Sequence, residues 1–259
     1  MNFLISAVSD IGIKRQTNQD SLSAKIVDTF YGQVMFAIIC DGMGGLSKGE
    51  LASATIIRAF DNWFYNDLIK ILHNNKKDIK EDLKRSWESI ILEQNDKLKE
   101  YGEKNQLQLG STLTTLLCHN NRYYIVHVGD TRVYQLTESI VQLTKDQTLL
   151  QKEIDSGNLT TPQQIEDFPK KSVLLQCVGV ADSVMPYFYS GKIDSNMVFL
   201  LCSDGFRHKI SNEEMFNNLN YNNLTDEMTM NNILLNLTEM DKNRLEKDNI
   251  SSIAIKVTI

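Results

Sequence analysis

The sequence predicts an α+β fold in which antiparallel sheets are layered against helices, and three observations predict it. Short apolar or alternating runs bounded by Gly, Asp or Asn recur along most of the chain, as strands do. The two longest segments of helical spacing are consecutive, at 50–73 and 82–101. Strands, then two helices, then many hairpin-spaced strands lack the alternation that a parallel doubly wound sheet requires.

In chain order, strands are expected at 3–8, 21–27, 33–40, 111–118, 122–128, 132–136, 140–143, 187–193, 197–202 and 250–259. The last is the clearest, because Ile253, Ile255, Val257 and Ile259 alternate with polar or small residues. In the first long helix Ala52, Ile56, Ala59 and Trp63 share a face, and in the second Leu83, Trp87, Ile91 and Leu98 do so. The two tryptophans have aliphatic neighbours and read as core rather than as stacking platforms. Shorter helices are expected at 145–156, 211–219 and 226–244.

With 259 residues, 42% hydrophobic and 23% charged, the chain can bury a full core, and no internal break divides it, so one domain over 1–259 is expected. Lys and Arg number 27 against 33 Asp and Glu; the net charge of -6 argues against a nucleic-acid or anionic-lipid binder. The longest apolar runs, 35–40 and 197–202, are too short to span a bilayer. Residues 1–10 show no basic segment ahead of an apolar stretch, so a cytoplasmic location is expected. Cys40, Cys118, Cys177 and Cys202 lie in or beside strand-like runs without metal-ligand spacing and read as buried, reduced thiols. The histidines, His73, His119, His127 and His208, show no zinc-site pairing and read as structural.

Acidic residues stand where the most apolar strands end. Asp41 follows 36–40, Asp130 follows 125–129 and Asp204 follows 198–203, each beside a glycine; Asp20 and Asp248 precede strands. Any one of them is an ordinary turn residue. Together they suit hard divalent cations such as Mg or Mn, which take carboxylate oxygens and keep several waters. Gly42 would let a backbone carbonyl approach an ion closely. Arg15 could present its fork to a phosphate, although spacing alone is equally consistent with a solvated surface arginine.

These residues, Asp10-Ile-Gly with Arg15 and Asp20, Asp41-Gly-Met-Gly-Gly45, Gly110-Ser-Thr-Leu-Thr114, Gly129-Asp-Thr-Arg132, Cys202-Ser-Asp-Gly205 and Asp248-Asn-Ile-Ser251, resemble the ordered motifs of the metal-dependent protein serine/threonine phosphatases. This is the type 2C family in its bacterial single-domain form. Each motif alone is weak, but six in order over essentially the whole chain are specific.

The resemblance implies a four-layer α-β-β-α sandwich with two central antiparallel sheets. It also implies two Mn2+ or Mg2+ ions bridged by Asp41, with the Gly42 carbonyl on one and Asp204 and Asp248 completing the other. Asp20 would hold metal-bound waters, Asp130 with Asp204 would form a third, weaker site, and Arg15 would bind phosphate. A hydroxide bridging the ions would attack phosphoserine or phosphothreonine in proteins, with no covalent enzyme intermediate. Partners are expected to be phosphoproteins and a cognate Ser/Thr kinase, with no nucleic acid or membrane, and the chain is expected to be a monomer.

Three positions depart from the best-known pattern: Gln19 where a Glu is common, Met43 where animal members place a histidine, and Thr131 where a Ser is common. Residues 147–171 correspond to the flap beside the family's active site. No Cys-x5-Arg is present, because the sixth residue beyond Cys202 is His208. Two alternatives remain open at this point. One is a catalytically silent fold-mate acting as a regulatory binding module. The other is a sporulation or stress-response phosphatase devoted to one regulatory protein.

Overall fold

The computed structural model describes residues 1–43, 48–74, 78–180 and 182–259. Five strands form one antiparallel sheet: β1 (Asn2–Asp10), β11 (Ile250–Thr258), β10 (Met197–Cys202), β7 (Arg132–Leu136) and β8 (Ile140–Gln142), in that spatial order. The other contains β2 (Asp20–Thr29), β3 (Gly32–Met43), β5 (Leu113–His119), β6 (Arg122–Val128) and β9 (Tyr187–Lys192), with the short β4 (Gly110–Ser111) pairing the end of β3.

Two strands explain why the layers number four. Along β3, Met35, Ala37 and Ile39 face the space between the sheets, whereas Val34, Phe36, Ile38 and Cys40 face a helical layer. Along β10, Phe199 and Leu201 face inward, and Val198, Leu200 and Cys202 face the opposite helical layer. A strand apolar on both faces must be covered twice. The covers are α1 (Gly49–Asn66), α2 (Leu68–Asn74) and α3 (Lys80–Asn105) on one side. On the other lie α6 (Asp204–Arg207), α7 (Asn212–Leu219) and α8 (Glu227–Asn243). Trp63 and Trp87 meet edge to face, 5.5 Å between ring centroids, inside the first cover, as their helical spacing predicts. All four cysteines are buried and free.

The expected helix over 50–73 divides at Asp67, whose N–H caps the Trp63 carbonyl at 2.8 Å. The helix expected at 145–156 shrinks to α4 (Leu149–Asp155), capped by the Thr148 hydroxyl. Two further helices, α5 (Pro162–Asp167) and the single turn α6, were not expected from the spacing. Gly44 and Gly45 of the second motif lie outside the described residues. Among the described residues, no helix is long and apolar enough to cross a membrane.

One buried carboxyl in α8 is only partly compensated, by His208, the Lys209 backbone and Arg244. Asp241 is fully buried, neither carboxylate oxygen reaches a hydrogen-bond donor in good geometry, and burial pushes its carboxyl up to about 8, with Glu246 adding to the rise. The folded-state value lies above the unfolded one, so the stability penalty is absent below the unfolded pKa and grows as pH rises towards 8. Asp241→Asn is expected to melt higher than the parent, with an advantage that widens by about 4 °C between about pH 5 and pH 8. Paired thermal melts at the two pH values check this; a pH-independent difference would refute it.

Candidate metal centre

The register of the second sheet places Asp20 directly opposite Asp41. Like charges in directly opposed positions destabilise a sheet, so this pair costs stability unless something else occupies the space between the carboxylates. Neighbouring segments fix the Asp41 backbone: its N–H donates to Thr112 Oγ1 at 2.8 Å, and its carbonyl accepts from Thr112 N at 2.9 Å and Ser111 Oγ at 3.0 Å. The Gly110-Ser-Thr motif therefore positions Asp41 rather than supplying chemistry. Gly42 must lack a side chain, because a Cβ there would stand 2.2 Å from the Gly49 carbonyl oxygen.

Asp204 arrives at the first turn of α6, directly after β10. The following Gly205 runs against the loop that carries Asp248, where a Cβ would stand 2.1 Å from the Asn249 carbonyl oxygen. Asn249 clamps the 11–19 loop: its amide donates to the carbonyls of Ile11 (2.9 Å) and Thr17 (3.2 Å), and its Oδ1 accepts from Gln19 N at 2.9 Å. That clamp sets Arg15 against Asp248 in a two-pronged ion pair, Nε to Oδ1 at 2.9 Å and Nη2 to Oδ2 at 2.7 Å.

Asp41, Gly42, Asp130, Asp204, Asp248 and Arg15 all line one pocket of 310 Å³, together with Gln19, Met43 and Thr112. Asp20 sits behind it, 8% exposed. Ser172 and Leu174 form another wall, just beyond the 147–171 segment expected to approach the site. The base of that segment is pinned by Leu149 N to Val173 O (2.8 Å) and Leu175 N to Gln147 O (2.7 Å).

The electrostatics are those of crowded acid. Burial holds the Asp41 carboxyl well above its ordinary value, and Asp20, Asp204, Asp130 and Asp248 each push it further. Burial raises Asp20 to about 7; Ser251 and Ser203 offset part of the rise without reaching hydrogen-bond geometry, and Asp204 and Asp248 add to it. Asp130 also reaches about 7, through burial and Asp204 against the opposing Arg207. Both Asp20 oxygens and Oδ1 of Asp204 are buried without a hydrogen-bond partner among the described residues. Orphaned carboxylate oxygens in one pocket and just behind it, all hard donors, fit a hard divalent cation. Among the described residues, no three acidic, His or Cys side chains form a ready-made cage, and a cation that keeps several waters needs none.

Two supporting residues escaped the sequence reading. Asp146 pairs in two-pronged fashion with Arg132 (2.8 and 2.6 Å), and Arg207 lies 3.6 Å from Asp130 and 3.7 Å from Asp146. His127 belongs to a buried network with Thr114 and Thr131; burial lowers it to about 4, so it stays neutral, in keeping with a structural role.

Comparison with known proteins agrees with this arrangement. The family described as Protein phosphatase 2C matches residues 13–236, a span that includes Arg15, Asp20, Asp41, Asp130 and Asp204 but stops short of Asp248. Protein phosphatase PhpP of Streptococcus pneumoniae is 31% identical over 214 residues, 82% of either chain. The S. agalactiae serine/threonine phosphatase superposes with a TM-score of 0.81 at 25% identity, covering 99% of this chain and 100% of that one. The catalytic domain of the serine threonine protein phosphatase PstP, solved in complex with 2 manganese ions, gives 0.78 at 25% identity with 100% of both chains covered. The chain therefore belongs to the protein phosphatase 2C family.

Proposed function

We propose that the protein is a single-domain phosphatase over 1–259 that hydrolyses phosphoserine or phosphothreonine in proteins, using Mn2+ or Mg2+ gathered by Asp41, Gly42, Asp204 and Asp248. The carrying observation is the convergence of Asp41, Asp130, Asp204 and Asp248 on one pocket, with Asp20 behind it and Arg15 as its basic wall. Bound divalent ions would supply an acidified water and positive charge against the phosphoryl oxygens. The PstP structure with 2 manganese ions supports two such ions here.

Asp41, crowded by Asp20, Asp130, Asp204 and Asp248, would be the central carboxylate holding the ions. Asp20, one layer back, would orient water. Among the described residues, Arg15 is the only side chain in the pocket wall with a guanidinium fork, and it would grip two phosphate oxygens once Asp248 turns to a cation. Met43 offers no proton, so the leaving group would take its proton from water or from the substrate's own surroundings. A third ion at Asp130 and Asp204 would be held weakly, because Arg207 already offsets Asp130 at 3.6 Å. A cytoplasmic setting opposite a Ser/Thr kinase, as a monomer, completes the proposal.

The silent-module alternative loses ground because every candidate ligand is present and the relatives are named as phosphatases. The test is turnover of p-nitrophenyl phosphate and a phosphothreonine peptide with Mn, then with chelator. Chelation is expected to lower both rates about a hundredfold or more. Rates unaffected by chelator, or no turnover with Mn, would overturn the proposal.

A further inference from the structure

A second groove, of 510 Å³, adjoins the metal centre. Its walls carry Lys171, Arg207, His208, Lys209 and Lys247; Arg207 faces Asp130 and Asp146 and Lys171 faces Glu166, which leaves Lys209 and Lys247 as the cations not matched by an acid in a chain whose net charge is -6. The two carboxylates in the same walls are already engaged. Glu246, 5% exposed, accepts the N–H groups of Lys247 and Asp248 at 2.8 and 2.9 Å and faces His208 at 3.5 Å. Glu166 faces Lys171 at 3.5 Å. Lys209 and Lys247 are exposed and form no ion pair with the described residues.

The groove lies next to the metal centre, and residues of its walls touch or directly adjoin those of the site. Arg207 reaches Asp130 at 3.6 Å, His208 reaches Asp204 at 3.6 Å, Lys171 directly precedes Ser172, and Lys247 directly precedes Asp248. Lys209 is held in place by its carbonyl, which accepts from Arg244 Nη1 at 2.6 Å. Extended peptide covers about 3.3 Å per residue, so a few residues of substrate reach from one pocket into the other.

We propose that this groove is a subsite for a second anionic side chain, carboxylate or phosphate, on the same peptide as the phosphoresidue being hydrolysed. The inference rests on the phosphatase reading above and names its substrate class: phosphopeptides acidic or further phosphorylated beside the target residue. The lysines act as hydrated point charges, so the subsite expresses a preference carried mainly by KM rather than a requirement.

The test compares three phosphothreonine peptides identical except for one flanking residue: Glu, a non-hydrolysable phosphonate analogue of phosphoserine, or Gln. With the Mn-loaded protein, kcat/KM for at least one anionic peptide is expected to exceed that for the Gln peptide by about tenfold, and the ratio to shrink in 1 M salt, where screening acts within about 3 Å. A preference for the phosphonate peptide alone assigns the groove to phosphate; one shared with the Glu peptide assigns it to anions generally; one for the Glu peptide alone assigns it to carboxylate. Lys209→Glu with Lys247→Glu is expected to abolish the ratio, and the milder Lys209→Gln with Lys247→Gln to reduce it, which covers any misfolding of the first pair. Equal turnover of all three peptides by the parent, or an undiminished ratio in correctly folded variants, would overturn the subsite. Failure to turn over any peptide or p-nitrophenyl phosphate would instead overturn the phosphatase reading.

Discussion

Asp41→Asn is expected to lower turnover about a thousandfold or more while making the metal-free protein melt higher. The activity loss follows because Asp41 is the carboxylate that all the others crowd, and an amide cannot replace its charge between two cations. The stability gain follows from the same crowding. Asp41, Asp20 and Asp130 all have folded-state values above their unfolded ones, so the metal-free fold loses stability as pH rises from the ordinary carboxylate range towards about 7. Removing the central charge is expected to recover about 1–3 kcal/mol at pH 8, or roughly 3–10 °C. In the parent, Mn at a hundred times its Kd should add about 2.7 kcal/mol. The variant should show little of that shift. Thermal melts with Mn and with chelator, alongside kcat, check both halves; near-normal turnover or an unchanged Mn shift would refute the assignment.

Arg15→Ala is the second large effect, and its two consequences run in opposite directions. Loss of the fork is expected to lower kcat/KM about a hundredfold for peptide and p-nitrophenyl phosphate alike. The half-saturating Mn concentration is expected to fall, because Asp248 is released from a two-pronged ion pair and a nearby positive charge disappears. Arg15→Lys should recover less than a tenth of the lost activity, since an ammonium cannot reproduce the fork. Metal titrations by melting temperature separate the affinity change from the activity change. A higher Mn requirement in Arg15→Ala, or kcat/KM within about twofold of the parent, would contradict this account.

The α+β class was legible because short strand-like runs around two consecutive helices lack the alternation of a parallel sheet; the four layers followed only from the motif resemblance, and strands β3 and β10, apolar on both faces, supply their physical reason. The carboxylates were legible because acid at the end of an apolar strand conflicts with burial, and the motif order resolved the conflict. What escaped depends on partners far apart in sequence. Asp146 and Arg207 meet Asp130 and Arg132 through folding alone, and no spacing announces them. The break at Asp67 carries no Gly or Pro, and α6 is a single turn without a side-chain cap bond. By contrast α5 had a readable signal, Thr161-Pro-Gln-Gln164, a capping box with Pro at its first position.

The pairing of β1 with β11, from Asn2 opposite Thr258 to Asp10 opposite Ile250, has a consequence for synthesis. Arg15 and Asp20 leave the ribosome early, whereas Asp248, its Asn249 clamp and the strand that seats them come after more than two hundred intervening residues. Closing so long a loop makes completion of the centre a late, slow event. A nascent chain therefore exposes these acidic residues as solvated, separate charges, and capture of metal waits until the strand that seats Asp248 has been made.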